Sequence, residues 1–97
     1  MNLPVILGPP AALEFKAGVD WYEREAGLGE AFLDRVNETL DRIGRMPELH
    51  APIFAGIRRA RVERFPYHVF YRILEDRVEV LAIHHSSRDP KNWKDRA

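Results

Sequence analysis

The sequence predicts an α+β fold in the order β-α-α-β-β-β, with a helical hairpin packed on one face of a small, mainly antiparallel sheet. Three observations predict it. Residues 11–46 repeat apolar side chains at every third or fourth position, with one break at Gly27. Residues 57–84 instead alternate, or run apolar, in short stretches separated by turn residues. A short apolar run ahead of Gly8-Pro9-Pro10 supplies one further strand.

Residues 3–7 form that first strand. Pro9 and Pro10 then stand where a helix tolerates proline, because the first N–H groups have no intrahelical partner. In residues 11–26, Ala12, Phe15, Val19, Tyr22 and Ala26 make one stripe, while Lys16, Asp20, Glu23 and Arg24 fall mostly elsewhere. Trp21 and Tyr22 read as packing between helix and sheet. Gly27 stops the helix. A second helix over residues 28–46 puts Phe32, Val36, Leu40 and Ile43 on one stripe with Leu33 beside it, and Pro47 ends it. Glu38 and Arg42 form a supportive i, i+4 pair on its exposed side. So short a connection makes the two helices an antiparallel hairpin.

Residues 48–56 read as a loop punctuated by Pro52 and Gly56. Strands follow at 57–64, 67–74 and 77–84, the last two joined by a tight turn at Glu75-Asp76. In the last strand Val78, Val80 and Ala82 share one face and Leu81 and Ile83 the other. Strands apolar on both faces belong in the middle of a sheet. The polar tail, 86–97, ends in a short helix around 92–96, with Trp93 as its anchor on the sheet.

Ninety-seven residues suffice for a single domain, 1–97, with one modest core. No apolar run approaches the eighteen or so residues of a membrane span. The N-terminus has no basic n-region, and its apolar part is too short and Pro-rich for a signal peptide. The chain has no cysteine, which excludes disulfides, thiol catalysis and Cys-based zinc sites. A cytoplasmic protein is expected. The net charge of zero hides two halves of opposite sign. Residues 1–50 carry five basic and nine acidic side chains, a balance of −4; residues 51–97 carry ten and six, a balance of +4. Any basic face therefore belongs to the second half.

The densest cationic segment is 57–72, which holds Arg58, Arg59, Arg61, Arg64 and Arg72. Alternation puts Arg59 and Arg61 on one face and Arg58 and Arg64 on the other, unless a bulge near Phe65-Pro66 changes the parity. Guanidinium groups stay charged and fork onto phosphate or carboxylate oxygens. The segment therefore suits a nucleic-acid backbone or an acidic protein segment. The alternative is a solvated strand whose arginines pair with Glu63 and Glu79. Tyr67 and Tyr71 share a face, either to stack bases or as core with a polar tip. His84 and His85, being adjacent in a strand, point apart and are poor co-ligands, so no metal or cofactor is expected. His84 has two readings: a general acid or base, or a hydrogen-bonding residue that orders the tail. Nucleophile motifs, Gly-rich phosphate loops and dinucleotide fingerprints are absent.

Taken together, Trp21-Tyr22-Glu23, Gly27-Leu28-Gly29 with Phe32, Pro47, Arg58, Phe65-Pro66-Tyr67, Tyr71-Arg72, Val80, Ala82-Ile83-His84, Arg88-Asp89-Pro90 and Trp93 resemble the RelE/ParE superfamily of toxins from type II toxin–antitoxin systems. The resemblance is to its ParE-like branch and covers roughly residues 7–96. It implies a growth-inhibiting toxin in a hetero-oligomer with a cognate antitoxin, working without a cofactor or a membrane. ParE-like members block DNA gyrase; RelE-like members cut mRNA on the ribosome without a metal.

If the chain were a nuclease, Arg58, Arg61, His84 and Arg88 would carry the cleavage. As a binding protein it would contact partners through Arg58, Arg59, Arg61, Arg64, Tyr67, Tyr71, Arg72, Arg88 and Trp93. The tyrosine that several nucleases carry in the C-terminal segment is missing; Trp93 sits nearest, and an indole cannot act as a base. Arginines replace the usual lysines of the basic strand. Both departures favour the ParE-like reading over mRNA cleavage, with a non-toxic antitoxin-binding member as a third possibility.

Overall fold

A computed structural model describes residues 2–97. The elements are β1 (Val5–Leu7), α1 (Pro9–Ala26), α2 (Gly29–Arg45), β2 (Pro52–Phe54), β3 (Ile57–Arg61), β4 (Tyr67–Ile73), β5 (Val78–His85) and α3 (Lys91–Lys94). The sheet runs in the order β1-β5-β4-β3-β2. β1 lies parallel to β5 and every other pairing is antiparallel. The α+β class and the helical hairpin are as the sequence predicts. None of the helices among the described residues is long and apolar enough to cross a membrane.

Gly27 ends α1 in the left-handed region at φ 65°, a conformation that costs a residue without Cβ little. Its N–H and that of Leu28 close back onto the carbonyls of Glu23 and Tyr22. The Glu23 carboxylate then receives the Gly29 N–H at 3.2 Å and so caps the start of α2. The chain turns back within three residues, and α1 and α2 lie together on one face of the sheet.

The core between helices and sheet is built from Ala11, Phe32, Val36 and Ile43 below, and Ala60, Val62, Val69, Tyr71, Val78, Val80 and Ile83 above. Phe32 sits at its centre, with Tyr22, Phe65 and Tyr67 rings 4.8 to 5.2 Å away. Gly18 lets α1 approach this close, since a Cβ there would meet Phe32 Cε2 at 2.7 Å. A second, smaller cluster of Ile57, Phe70, Leu81, Ala82 and Trp93 lies on the opposite face.

Four details depart from the sequence reading. The inward stripe of α1 runs through Ala11, Phe15, Gly18, Val19 and Tyr22, while Ala12 and Ala26 are exposed. Trp21 is 49% exposed rather than packed between helix and sheet, because the stripe turns Tyr22 inward instead. The stretch read as a loop contains β2, a three-residue edge strand that pairs only with Ile57 and Arg58. Finally, a bulge breaks the alternation of β5. Phe70 pairs with Ala82 and Tyr71 with Val80, so Leu81 is the extra residue. Leu81 and Ala82 therefore both join the smaller cluster, and Ile83 turns to the helix side.

Candidate functional site

The cationic segment divides around β3. Arg58 turns back, its Nη1 donating to the His50 carbonyl at 2.6 Å and to that of Glu48 at 3.5 Å. Arg59 and Arg61 stand on the other face, opposite Phe70 and His68 in the register with β4. Burial lowers the pKa of His68, and the nearby charges of Arg59 and Arg61 lower it further. His50 is lowered in the same way, by burial and then by Arg42 and Arg58. Arg64 sits in the β3–β4 turn with φ 71°. Arg42 of α2 reaches across to the Arg61 carbonyl at 3.4 Å. The tighter pair on this face is Arg72 with Glu79, held at 2.8 Å across β4 and β5.

A second constellation closes the edge of β5 beyond the end of β1. There the Glu14 carboxylate, 13% exposed, accepts the Ile83 N–H at 3.1 Å and His84 Nε2 at 2.7 Å. Arg96 forks onto both carboxylate oxygens at 2.9 Å and also donates to the Leu81 carbonyl at 3.0 Å. Arg88 lies 4.0 Å away. Burial pushes the Glu14 carboxyl up, but the bonds from His84, Arg96 and Ile83 outweigh it and hold the pKa at about 2. Glu14 and Arg96 thus satisfy strand-edge groups that β1 leaves open. Trp93 holds the tail from the other face, stacked on Phe70 with centroids 4.5 Å apart.

These positions settle which candidate residues meet. Arg61, His68 and His84 form one row across β3, β4 and β5, and Arg88 joins its end through Glu14. Arg58 is on the other face and takes no part. His84 is 1% exposed, and its Nε2 is already bound. Tyr71 is fully enclosed: its hydroxyl donates to the Pro47 carbonyl at 2.8 Å, so packing rather than contact is what it offers. Tyr67 lines a cavity of about 220 Å³ with Glu14, Gly18, Trp21, His85 and Arg88. Sequence reading missed Glu14 and Arg96, which lie 82 positions apart. One signal was present: Glu14 stands on the apolar stripe of α1, between Ala11 and Gly18, where an unpaired carboxylate would be costly.

Comparison with known proteins places this geometry. The family model for the ParE toxin of the type II toxin–antitoxin system parDE matches residues 5–90. The chain is similar to the Toxin ParE2 of Mycobacterium tuberculosis strains CDC 1551 / Oshkosh and ATCC 25618 / H37Rv, 32% identical over 63 residues. That match takes in 65% of this chain and spans 57% of the length of those curated relatives. A solved structure of the chromosomal ParDE TA system from P. aeruginosa shares the fold, with a TM-score of 0.66 at 19% identity. It covers 87% of this chain and 96% of that one.

Proposed function

Because the chain belongs to the family of ParE toxins of type II toxin–antitoxin systems, we propose that it arrests growth by blocking DNA gyrase through protein contact, and that a cognate antitoxin neutralises it. The observation that carries this reading is the state of the C-terminal segment. It has no tyrosine, its Trp93 is buried, and the preceding His84 is enclosed and bound by Glu14. Neither Trp93 nor His84 is free to move a proton to or from a substrate. The surface instead offers contact chemistry: exposed Arg59, Arg61 and Arg64 on β3 and its turn, and exposed Ile53 and Phe54 on the edge strand β2. An antitoxin segment that is both acidic and apolar suits it, in a hetero-oligomer that high salt weakens only modestly. A cytoplasmic location follows from the proposed target.

A second reading draws on His68. It lies partly exposed opposite Arg61 with the Arg59 charge nearby, and burial and those charges lower its pKa, which favours the neutral, proton-accepting ring. That arrangement suits an mRNA endonuclease. One induction experiment separates the two. Expressed without antitoxin, the chain is expected to stop growth and raise DNA-damage signals while transcripts stay intact. Transcripts cut soon after induction, and spared with His68→Gln, would replace the gyrase reading. Unaffected growth with confirmed expression would overturn both.

A further inference from the structure

Between α1 and the ends of β4 and β5 lies the cavity of about 220 Å³ lined by Glu14, Gly18, Trp21, Tyr67, His85 and Arg88. Its side chains meet in space. The Tyr67 and His85 rings stand edge to face with centroids 5.4 Å apart. With no Cβ at Gly18 the space before the Tyr67 hydroxyl stays open, since a Cβ there would lie 3.6 Å from it. Burial and the neighbouring Tyr22 raise the Tyr67 pKa, and the Arg88 charge is close enough to work against them. Trp21 adds an indole that is half exposed.

The polar side chains with bonds to spare in this cavity are donors. Tyr67 keeps its proton at neutral pH, and its hydroxyl, unlike that of Tyr71, bonds no carbonyl among the described residues. His85 Nδ1 accepts the Ser87 N–H at 3.1 Å, which leaves the proton of the neutral ring on Nε2. Arg88 Nη2 stands 4.0 Å from Glu14, beyond hydrogen-bond reach, on a half-exposed side chain. The Glu14 carboxylate is already spent. Each of its oxygens receives two bonds, and Arg96 neutralises it through a two-pronged pair. Donors without a free acceptor, beside aromatic walls, suit an anion with an apolar body. We propose that this cavity binds a carboxylate carried on a small ring or a short apolar side chain. One guanidinium forks onto the two oxygens of a carboxylate, whereas a phosphate dianion would be repelled by Glu14. A cavity of about 150 Å³ holds one benzene, so this one has room for a ring and its carboxylate. The carboxylate belongs to a free small acid, or to a glutamate beside an aromatic residue in a protein partner; the recognition chemistry is common to both. The site stands apart from the choice of cellular target.

The test is a titration of the isotope-labelled chain with benzoate at pH 6.5, followed by NMR. Saturable shifts are expected at the Trp21 indole N–H and the Arg88 Nε–H, while the Trp93 indole, on the other face of the sheet, stays in place. Benzamide, the same ring without the charge, should bind at least about fivefold more weakly, and inorganic phosphate should give no saturable shift. Arg88→Gln should weaken benzoate binding at least about fivefold, and Tyr67→Phe, which removes only the hydroxyl, about threefold. Arg77→Gln removes the same charge at the opposite end of the β4–β5 pair and should leave affinity within about twofold. Non-saturating shifts, equal binding of benzamide or phosphate, or an equal loss in Arg77→Gln would overturn the site. A blocked Phe-Glu dipeptide, titrated in the same way, identifies the source. Tighter binding than benzoate points to a partner's glutamate and weaker binding to a free acid, and either supports the site.

Discussion

Replacing Glu14 with alanine should destabilise this protein more than any other single change at a polar residue. The substitution removes the acceptor of His84 Nε2 at 2.7 Å, of the Ile83 N–H at 3.1 Å and of both Arg96 bonds at 2.9 Å. Arg96 keeps the Leu81 carbonyl and can turn to water, so its loss is partial. His84 is enclosed and has no second partner, because its Nδ1 is also unbonded. One strong bond at His84 and one weaker at Ile83 give about 3 kcal/mol. Linkage gives the same scale. Holding the carboxyl at about 2 rather than its ordinary 4.5 is worth roughly 2–3 kcal/mol once its solvated side is discounted.

Urea denaturation at pH 7 measures the difference, and a thermal melt should fall by about 15 °C. Glu14→Gln retains an acceptor and should lose about half as much. The pH dependence has a fixed sign. A depressed carboxyl pKa stabilises fully above 4.5 and loses that contribution as pH falls from 4.5 to about 2. The gap between wild type and Glu14→Ala should therefore close over that window. A loss under about 1 kcal/mol at pH 7, or a gap that persists at pH 2, would refute the clamp.

Other substitutions test the packing. Tyr71→Phe leaves the buried Pro47 carbonyl without its 2.8 Å donor and should lower the unfolding free energy by about 1 kcal/mol, read as a lower urea midpoint at an unchanged slope. Gly18→Ala gains helix propensity but drives a Cβ to 2.7 Å from a Phe32 ring held by its aromatic neighbours; a net loss of about 1–2 kcal/mol is expected by calorimetry. Trp93→Ala empties the stack on Phe70 and should cost about 3 kcal/mol, with hydrogen exchange of the α3 amides rising first.

The elements legible in the sequence were those with a strong period or a strong stop. Phe32, Val36 and Ile43 repeat at helical spacing and fall in the core, and Gly27 and Pro47 end the helices where expected. β2 left no period because it has three residues, all exposed, one of them a proline. The bulge at Leu81 was invisible because the residues there are apolar on both faces, so a change of parity leaves the pattern intact. The Glu14–Arg96 clamp joins the two ends of the chain, and no local spacing encodes such a pair. The arginine segment was legible as charge but not as geometry. Arg42 comes from α2, and helical spacing pairs it with Glu38, whereas it reaches the Arg61 carbonyl and Glu38 bonds Arg35 instead.

The most direct measurement is gyrase-catalysed supercoiling of relaxed plasmid in the presence of the purified chain. Supercoiling is expected to fall in proportion to the chain added, and to recover when the antitoxin is supplied. Supercoiling that continues unchanged at large molar excess of folded protein contradicts inhibition by protein contact at gyrase.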